Sequence, residues 1–118
     1  RPSVISEFKR FLDDTLSDSS ADQVRILRSH IQQILERTRS AGAELIMASY
    51  PRPNPDRTQF RIAQELGIPW VQISNAFEAA LRTDPNRELF IPDDHPNDAG
   101  YALMARELSR FLLQRLKR

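Results

Sequence analysis

The chain has 118 residues, which makes it one domain at most, or part of one. Its 17 basic and 16 acidic residues are interspersed and leave a net charge of +1. That balance argues against a nucleic-acid or membrane-surface module, since either would need a concentrated basic face. There is no Cys, so disulfides, thiol nucleophiles and Cys-based zinc sites are excluded.

An apolar fraction of 40% with 28% charged residues is ordinary for a folded globular chain, which sets disorder aside. Fifteen of the basic residues are Arg, which reads as coding bias rather than function. No apolar run approaches the ~20 residues of a spanning helix. No signal peptide is visible, but the chain opens at Arg1-Pro2 without Met, so a targeting segment upstream stays compatible with it. The absence of Cys fits either side of a membrane, and the compartment is left open.

In chain order, Val4, Ile5, Phe8, Phe11, Leu12 and Leu16 stand three and four apart behind Pro2-Ser3. They predict a short amphipathic helix over 4–16 with Ser3 as its N-cap. Ser17-Asp18-Ser19-Ser20 is expected to break it, and Ser20 with Gln23 fits a capping box that opens a second helix. Val24, Leu27, Ile31, Ile34 and Leu35 form the stripe of that helix, which runs to about Ser40. Gly42 stands where a helix C-terminus needs a left-handed residue. His30 lies on this helix with no acidic or metal-binding residue three or four positions away, and reads as a surface or packing histidine.

Glu44 to Tyr50 is mostly apolar and ends at Pro51, which suits a strand buried on both faces of a parallel sheet. Pro51-Arg52-Pro53-Asn54-Pro55 continues neither strand nor helix, because three of its five residues lack an N–H. It predicts a loop at the carboxyl end of the strand, the side on which ligands bind in open α/β sheets. Tyr50, Pro51 and Asn54 are its candidate substrate-lining residues, with a rigid connector as the plainer alternative. Asp56 opens a third helix whose buried stripe is Phe60, Ile62, Ala63 and Leu66, stopped by Gly67.

Ile68 to Ile73 predicts a second strand, so that strand, helix and strand make a βαβ unit with a right-handed crossover. Trp70 on that strand reads as core. Ser74-Asn75 caps a short helix from Ala76 to about Leu81, and Asp84-Pro85-Asn86 is a turn. Glu88 to Ile91 is a brief extended piece. A last helix starts at Asn97 or Asp98, with Ala99, Leu103, Ala105, Leu108, Phe111, Leu112 and Leu116 expected on its inward face. There is no internal repeat.

Chemistry is concentrated in Ile91-Pro92-Asp93-Asp94-His95-Pro96-Asn97. A histidine serves as a general base when its imidazole is neutral, held in one tautomer and close to a nucleophile. A carboxylate that accepts the Nδ1–H supplies the orientation. In extended backbone, residues two apart share a side, so Asp93 is the better partner for His95 and Asp94 the alternative. The positive end of the helix just beyond favours a neutral imidazole. Asn97 can cap that helix. On spacing alone the stretch fits a helix cap more readily than a catalytic site. One His beside two Asp residues does not suggest a selective metal site.

The run Asp93-Asp94-His95-Pro96-Asn97-Asp98-Ala99-Gly100-Tyr101, followed by Leu103-Met104-Ala105, resembles the last conserved block of the SGNH (GDSL-type) hydrolases. That block reads Asp-x-x-His-Pro-Asn-x-x-Gly ahead of an Ala/Leu-rich helix. The pattern before it is also similar: a long helix, a strand ending in Tyr-Pro, a helix with a Leu-Gly-Ile exit, and a second strand. The resemblance covers roughly residues 20 to 118, the C-terminal half of that fold. It implies an α/β chain that is part of a three-layer, flavodoxin-like fold with a short parallel sheet.

It also implies His95 as the base and the preceding aspartate as its orienting acid in a serine esterase or acyl hydrolase. The substrate would be a small ester or an O-acylated carbohydrate, and no cofactor or metal is implied. Two departures stand out. The family's Asp lies three before the His, where this chain has Pro92, so Asp93 would act from an Asp-x-His spacing. The family's Gly-Asp-Ser nucleophile block is absent, and Ser49 and Ser74, the serines near the inferred carboxyl edge, lack its context. The nucleophile is therefore expected on an N-terminal half preceding Arg1. The alternative is a non-catalytic α/β fragment that pairs its sheet edge with that missing half or with a second copy.

Overall fold

The computed structural model describes residues 4–54 and 56–117, with side chains from residue 21 onward. Two compact units divide the chain, Arg1–Leu45 and Ile46–Arg118.

The first unit is one helix, α1 (Val4–Ser40). The break expected at 17–20 does not occur, and the capping box of Ser20 and Gln23 has no helix start to cap. The reason is one of degree. Ser and Asp are mediocre helix formers, costing roughly half a kcal/mol each against Ala, whereas only Gly and Pro carry penalties large enough to stop a long helix. Neither occurs between Val4 and Ser40. The expected Ser3 cap and the 4–16 apolar stripe lie outside the described side chains.

Farther along α1, Ile31 and Leu35 are buried and Leu27 is half-buried, while Val24 and Ile34 are exposed, so the expected stripe is narrower than its sequence. The end is as expected. Gly42 has φ +73, and the N–H groups of Gly42 and Ala43 donate to the Arg39 and Thr38 carbonyls at 3.0 Å each. That is the double bond of a Schellman cap, which needs a left-handed residue.

The second unit carries two strands and three helices: β1 (Met47–Ala48), α2 (Thr58–Leu66), β2 (Trp70–Val71), α3 (Ile73–Thr83) and α4 (Asp98–Leu116). The strands pair in parallel, Met47 with Trp70 and Ala48 with Val71. Met47 N–H donates to Pro69 O at 2.9 Å, and Ser49 N–H to Val71 O at 2.8 Å. The chain is thus α/β in the general sense, helix-rich with a short parallel sheet.

Both strands are shorter than the 44–50 and 68–73 segments expected, and β1 is half-buried rather than buried on both faces. A ladder extends only as far as its neighbour does. Among the described residues each strand has one neighbour, and β2 ends where α3 begins at Ile73.

Ile73 also explains a second difference. Ser74 and Asn75 were expected to cap α3, but the N-cap is Gln72 and Ser74 lies inside the first turn. Ile73 is 1% exposed, so starting the helix there puts a full isoleucine into the core. Such burial contributes roughly 1.5–3 kcal/mol, more than a typical cap. The free first-turn N–H of Ser74 finds its acceptor across the fold, on Ser49 Oγ at 3.2 Å.

Val71, Ile73, Phe77, Leu89 and Leu103 form the core of this unit, with Phe90, Met104, Leu108 and Phe111 packed around them. Phe77 and Phe90 lie with ring centroids 5.4 Å apart. The inward face of α4 is rotated from the one expected. Gly100 and Leu103 are buried and Met104, Leu108 and Phe111 half-buried, whereas Ala99, Ala105, Leu112 and Leu116 are exposed. Gly67 ends α2 at φ +69, and Ile68 N–H donates to Ala63 O at 2.8 Å.

Candidate functional site

Two loops of the second unit carry the candidate residues. The first follows β1 and runs through Pro51, which is buried, and Asn54, whose Oδ1 accepts the Asp56 N–H at 3.0 Å. Asp56 in turn accepts the Thr58 N–H at 2.9 Å and the Thr58 hydroxyl at 2.5 Å. The hydroxyl bond and then the backbone bond hold its carboxyl below the ordinary 3.8. The helix therefore begins two residues after the aspartate expected to open it. Pro55 lies outside the described residues.

The second loop is a tight hairpin ahead of α4. Phe90 bridges to Pro96 in antiparallel fashion. Ile91 N–H donates to His95 O at 2.8 Å, and Asp94 N–H to Ile91 O at 3.0 Å. At its far end Asn97 works in both directions. Its Oδ1 accepts the Gly100 N–H, and its Nδ2 donates to Glu88 O, each at 2.9 Å. Asn97 thus caps α4, as expected, and also fastens the helix start to the strand-like piece before it. Gly100 permits that closeness, since a Cβ there would lie 2.3 Å from Leu89 O.

Asp93 and His95 meet on this hairpin. His95 Nδ1 lies 3.0 Å from Asp93 Oδ1, and the His95 backbone N–H donates to the same oxygen at 3.1 Å. The backbone bond first, and the ring bond second, hold the Asp93 carboxyl below the ordinary 3.8. Both side chains are exposed, at 62% for His95 and 61% for Asp93, so the pair is organised by geometry rather than by exclusion of water. Extended backbone does not bring them together. Residues 92–94 turn, Asp94 stands at φ +71, and the contact is made around that turn. Asp94 faces elsewhere and pairs with Arg52 at 2.9 Å.

His95 lies on the wall of a concavity of about 890 Å³ formed at the carboxyl ends of β1 and β2. Tyr50, Pro51 and Asn54 line the same concavity, so the strand-end loop and the histidine loop share one space. Phe60 and Trp70, packed edge to face at 5.6 Å, line it as well. Tyr101, Met104 and Leu108 come from α4. The volume falls in the range of small-molecule sites. No described protein group hydrogen-bonds His95 Nε2, which leaves that nitrogen for whatever enters.

Trp70, expected in the core, is half-buried and belongs to the wall. Its indole N–H donates to Gln72 Oε1 at 2.7 Å, and Gln72 Nε2 donates to Ser74 Oγ at 2.6 Å. A strand end exposes its last residues to the crevice, and that position was the available signal. Ser49 lines the concavity, but its hydroxyl donates to Tyr50 O at 3.2 Å and not to His95. Ser74 is buried and occupied by Gln72. Neither serine hydrogen-bonds the histidine. His30 is exposed on α1, in the other unit. Among the described residues no three His, Cys, Asp or Glu side chains cluster as metal ligands would.

Chemically the arrangement offers an imidazole held against a carboxylate, beside a half-apolar concavity. It can accept a proton at Nε2 and return it. No family model matches the chain, and no curated protein or solved structure matches it.

Proposed function

We propose that this chain supplies the base and its orienting acid to an SGNH-type serine esterase or acyl hydrolase, as the C-terminal half of a three-layer, flavodoxin-like domain. The observation that carries the reading is the His95–Asp93 pair at 3.0 Å on the wall of the strand-end concavity. A serine on a Gly-Asp-Ser segment upstream would give its proton to His95 Nε2 while its oxygen attacks the ester carbonyl. His95 would then pass that proton to the departing alcohol, and Asp93 would stabilise the transient imidazolium. Substrates in keeping with the concavity are small esters, O-acylated carbohydrates among them.

The test has two parts. The reading frame that encodes this chain should contain a Gly-Asp-Ser segment before Arg1. In the complete protein, His95→Ala should lower cleavage of p-nitrophenyl acetate by about 10⁴-fold or more. A frame without such a segment, or turnover within tenfold of the parent, rejects the proposal.

One observation favours a second, non-catalytic reading. Each strand has a single neighbour among the described residues, so the sheet presents strand edges to a complementary chain or a second copy. Light scattering that finds a concentration-dependent dimer, together with a catalytically silent complete protein, would favour it.

A further inference from the structure

Two adjacent carboxylates stand within reach of His95, and only one of them meets it. Asp94 is drawn aside by Arg52, whose guanidinium nitrogen lies 2.9 Å from Asp94 Oδ1. The same guanidinium sits over the Phe90 ring, its carbon 4.0 Å from the ring centroid. Phe90 rests in turn on Phe77, which is 1% exposed in the core. Arg52 thus connects the loop after β1 to the histidine hairpin through one exposed ion pair and one ring contact, the second of which leads to the core.

Asp94 also carries the unusual backbone. Its φ of +71 is the single positive value at a non-glycine residue among those described, and it makes the turn that swings Asp93 toward the ring. A left-handed non-glycine residue persists where its surroundings hold it there. The contact from outside the hairpin is Arg52.

We propose that Arg52 is a positioning residue for the His95–Asp93 pair. It holds Asp94 outward, fixes the 91–94 turn, and leaves Asp93 as the only carboxylate on the imidazole. The functional significance rests on His95 acting as the base, but the physical claim does not. Without the clamp the 91–94 turn loosens, no carboxylate is held against Nδ1, and the ring loses its preference for a single tautomer. A lysine could keep the charge but not the planar face that stacks and pairs at once.

The tautomer can be read without turnover. In the ¹⁵N-labelled chain at mildly alkaline pH, two-bond ¹H–¹⁵N spectra give the ratio of Nδ1–H to Nε2–H for His95, with His30→Gln assigning the second ring. The native protein should favour Nδ1–H. Arg52→Gln should lower that ratio by about threefold or more, and Arg52→Lys by less. An unchanged ratio in a folded Arg52→Gln protein overturns the proposal.

If Arg52→Gln does not fold, the parent can be titrated from about 0.05 M to about 1 M NaCl, which shortens the Debye length to about 3 Å. The exposed pair should weaken and the ratio should fall; a constant ratio again overturns the clamp. In the complete protein, Arg52→Gln should reduce kcat with little change in KM. A silent complete protein with the tautomer shift intact rejects the esterase reading and keeps the clamp. An active one with no tautomer shift rejects the clamp alone.

Discussion

The Arg52 guanidinium and the Asp94 carboxylate meet at 2.9 Å, joining the loop after β1 to the hairpin before α4. Asp93, the preceding residue, lies 3.0 Å from the His95 ring. Two aspartates adjacent in sequence are therefore divided between two partners, Arg52 and His95. The division gives each a distinct consequence on removal.

On the proposed esterase reading, Asp93→Asn in the complete protein should lower kcat by about 10²- to 10⁴-fold, because the amide no longer stabilises the imidazolium and can favour the wrong tautomer. Asp94→Asn should cost less than about tenfold, acting only through the Arg52 contact, an exposed pair of modest strength. Ester-cleavage kinetics of the two variants decide the matter. A greater loss from Asp94→Asn would reverse the assignment.

Stability should depend on pH through Asp93 and Asp56. Each carboxyl is held below 3.8 by hydrogen bonds its charged form accepts in the folded protein. Such groups favour the folded state above the unfolded-state value and lose that contribution as pH falls through the lowered folded-state value. Thermal unfolding of the parent should be compared with Asp56→Asn/Asp93→Asn between neutral pH and strong acid. The parent's advantage should vanish below the ordinary carboxylate range. An advantage that grows on acidification contradicts the assignment.

Gly100→Ala should destabilise the hairpin and helix junction. Its Cβ would stand 2.3 Å from Leu89 O and 2.9 Å from the Pro96 Cβ, and the first of these is backbone. Overpacking of this kind costs about 1–3 kcal/mol, measurable by urea denaturation. Ala99→Ser, on the exposed neighbour, should change stability by less than about 0.5 kcal/mol.

Asn97→Ala removes the acceptor for Gly100 N–H and the donor to Glu88 O together. A lost cap costs about 0.5–2 kcal/mol, and the second bond places the expected value in the upper half of that range. Asn97→Asp keeps the cap alone and should fall between the two in the same urea titration.

The unbroken α1 is tested by Ser19→Pro. A proline inside a continuous helix costs about 3 kcal/mol or more and removes a helical hydrogen bond. Far-UV circular dichroism should report lost helicity. Unchanged helicity would put a real break at 17–20.

Much of the candidate site could be read before any tertiary contact was known. The spacing already paired Asp93 with His95 and made Asn97 a helix cap, and the loop with Tyr50, Pro51 and Asn54 faces the same concavity as the histidine. Arg52 was not legible. It looks like any surface arginine between two prolines, and its value depends on a residue from another loop. Trp70 was misplaced for a related reason, since an aromatic on an apolar strand reads as core unless the strand is known to end there.

By itself, the sequence determined what acts over a few residues. Gly42 and Gly67 end their helices because the backbone there must turn left-handed, and Asn97 starts α4 because its side chain reaches an N–H three residues on. The parallel pairing of β1 with β2 follows from a helix of suitable length between two apolar runs. The tertiary structure decided what depends on partners distant in the chain. It set the start of α3, where the burial of Ile73 and the Ser49 hydroxyl outweigh a local cap, and it set the inward face of α4. It also decided which of two aspartates serves His95. Asp93 and Asp94 are chemically identical and adjacent, and the turn over residues 92–94 sets the first against His95 and the second against Arg52.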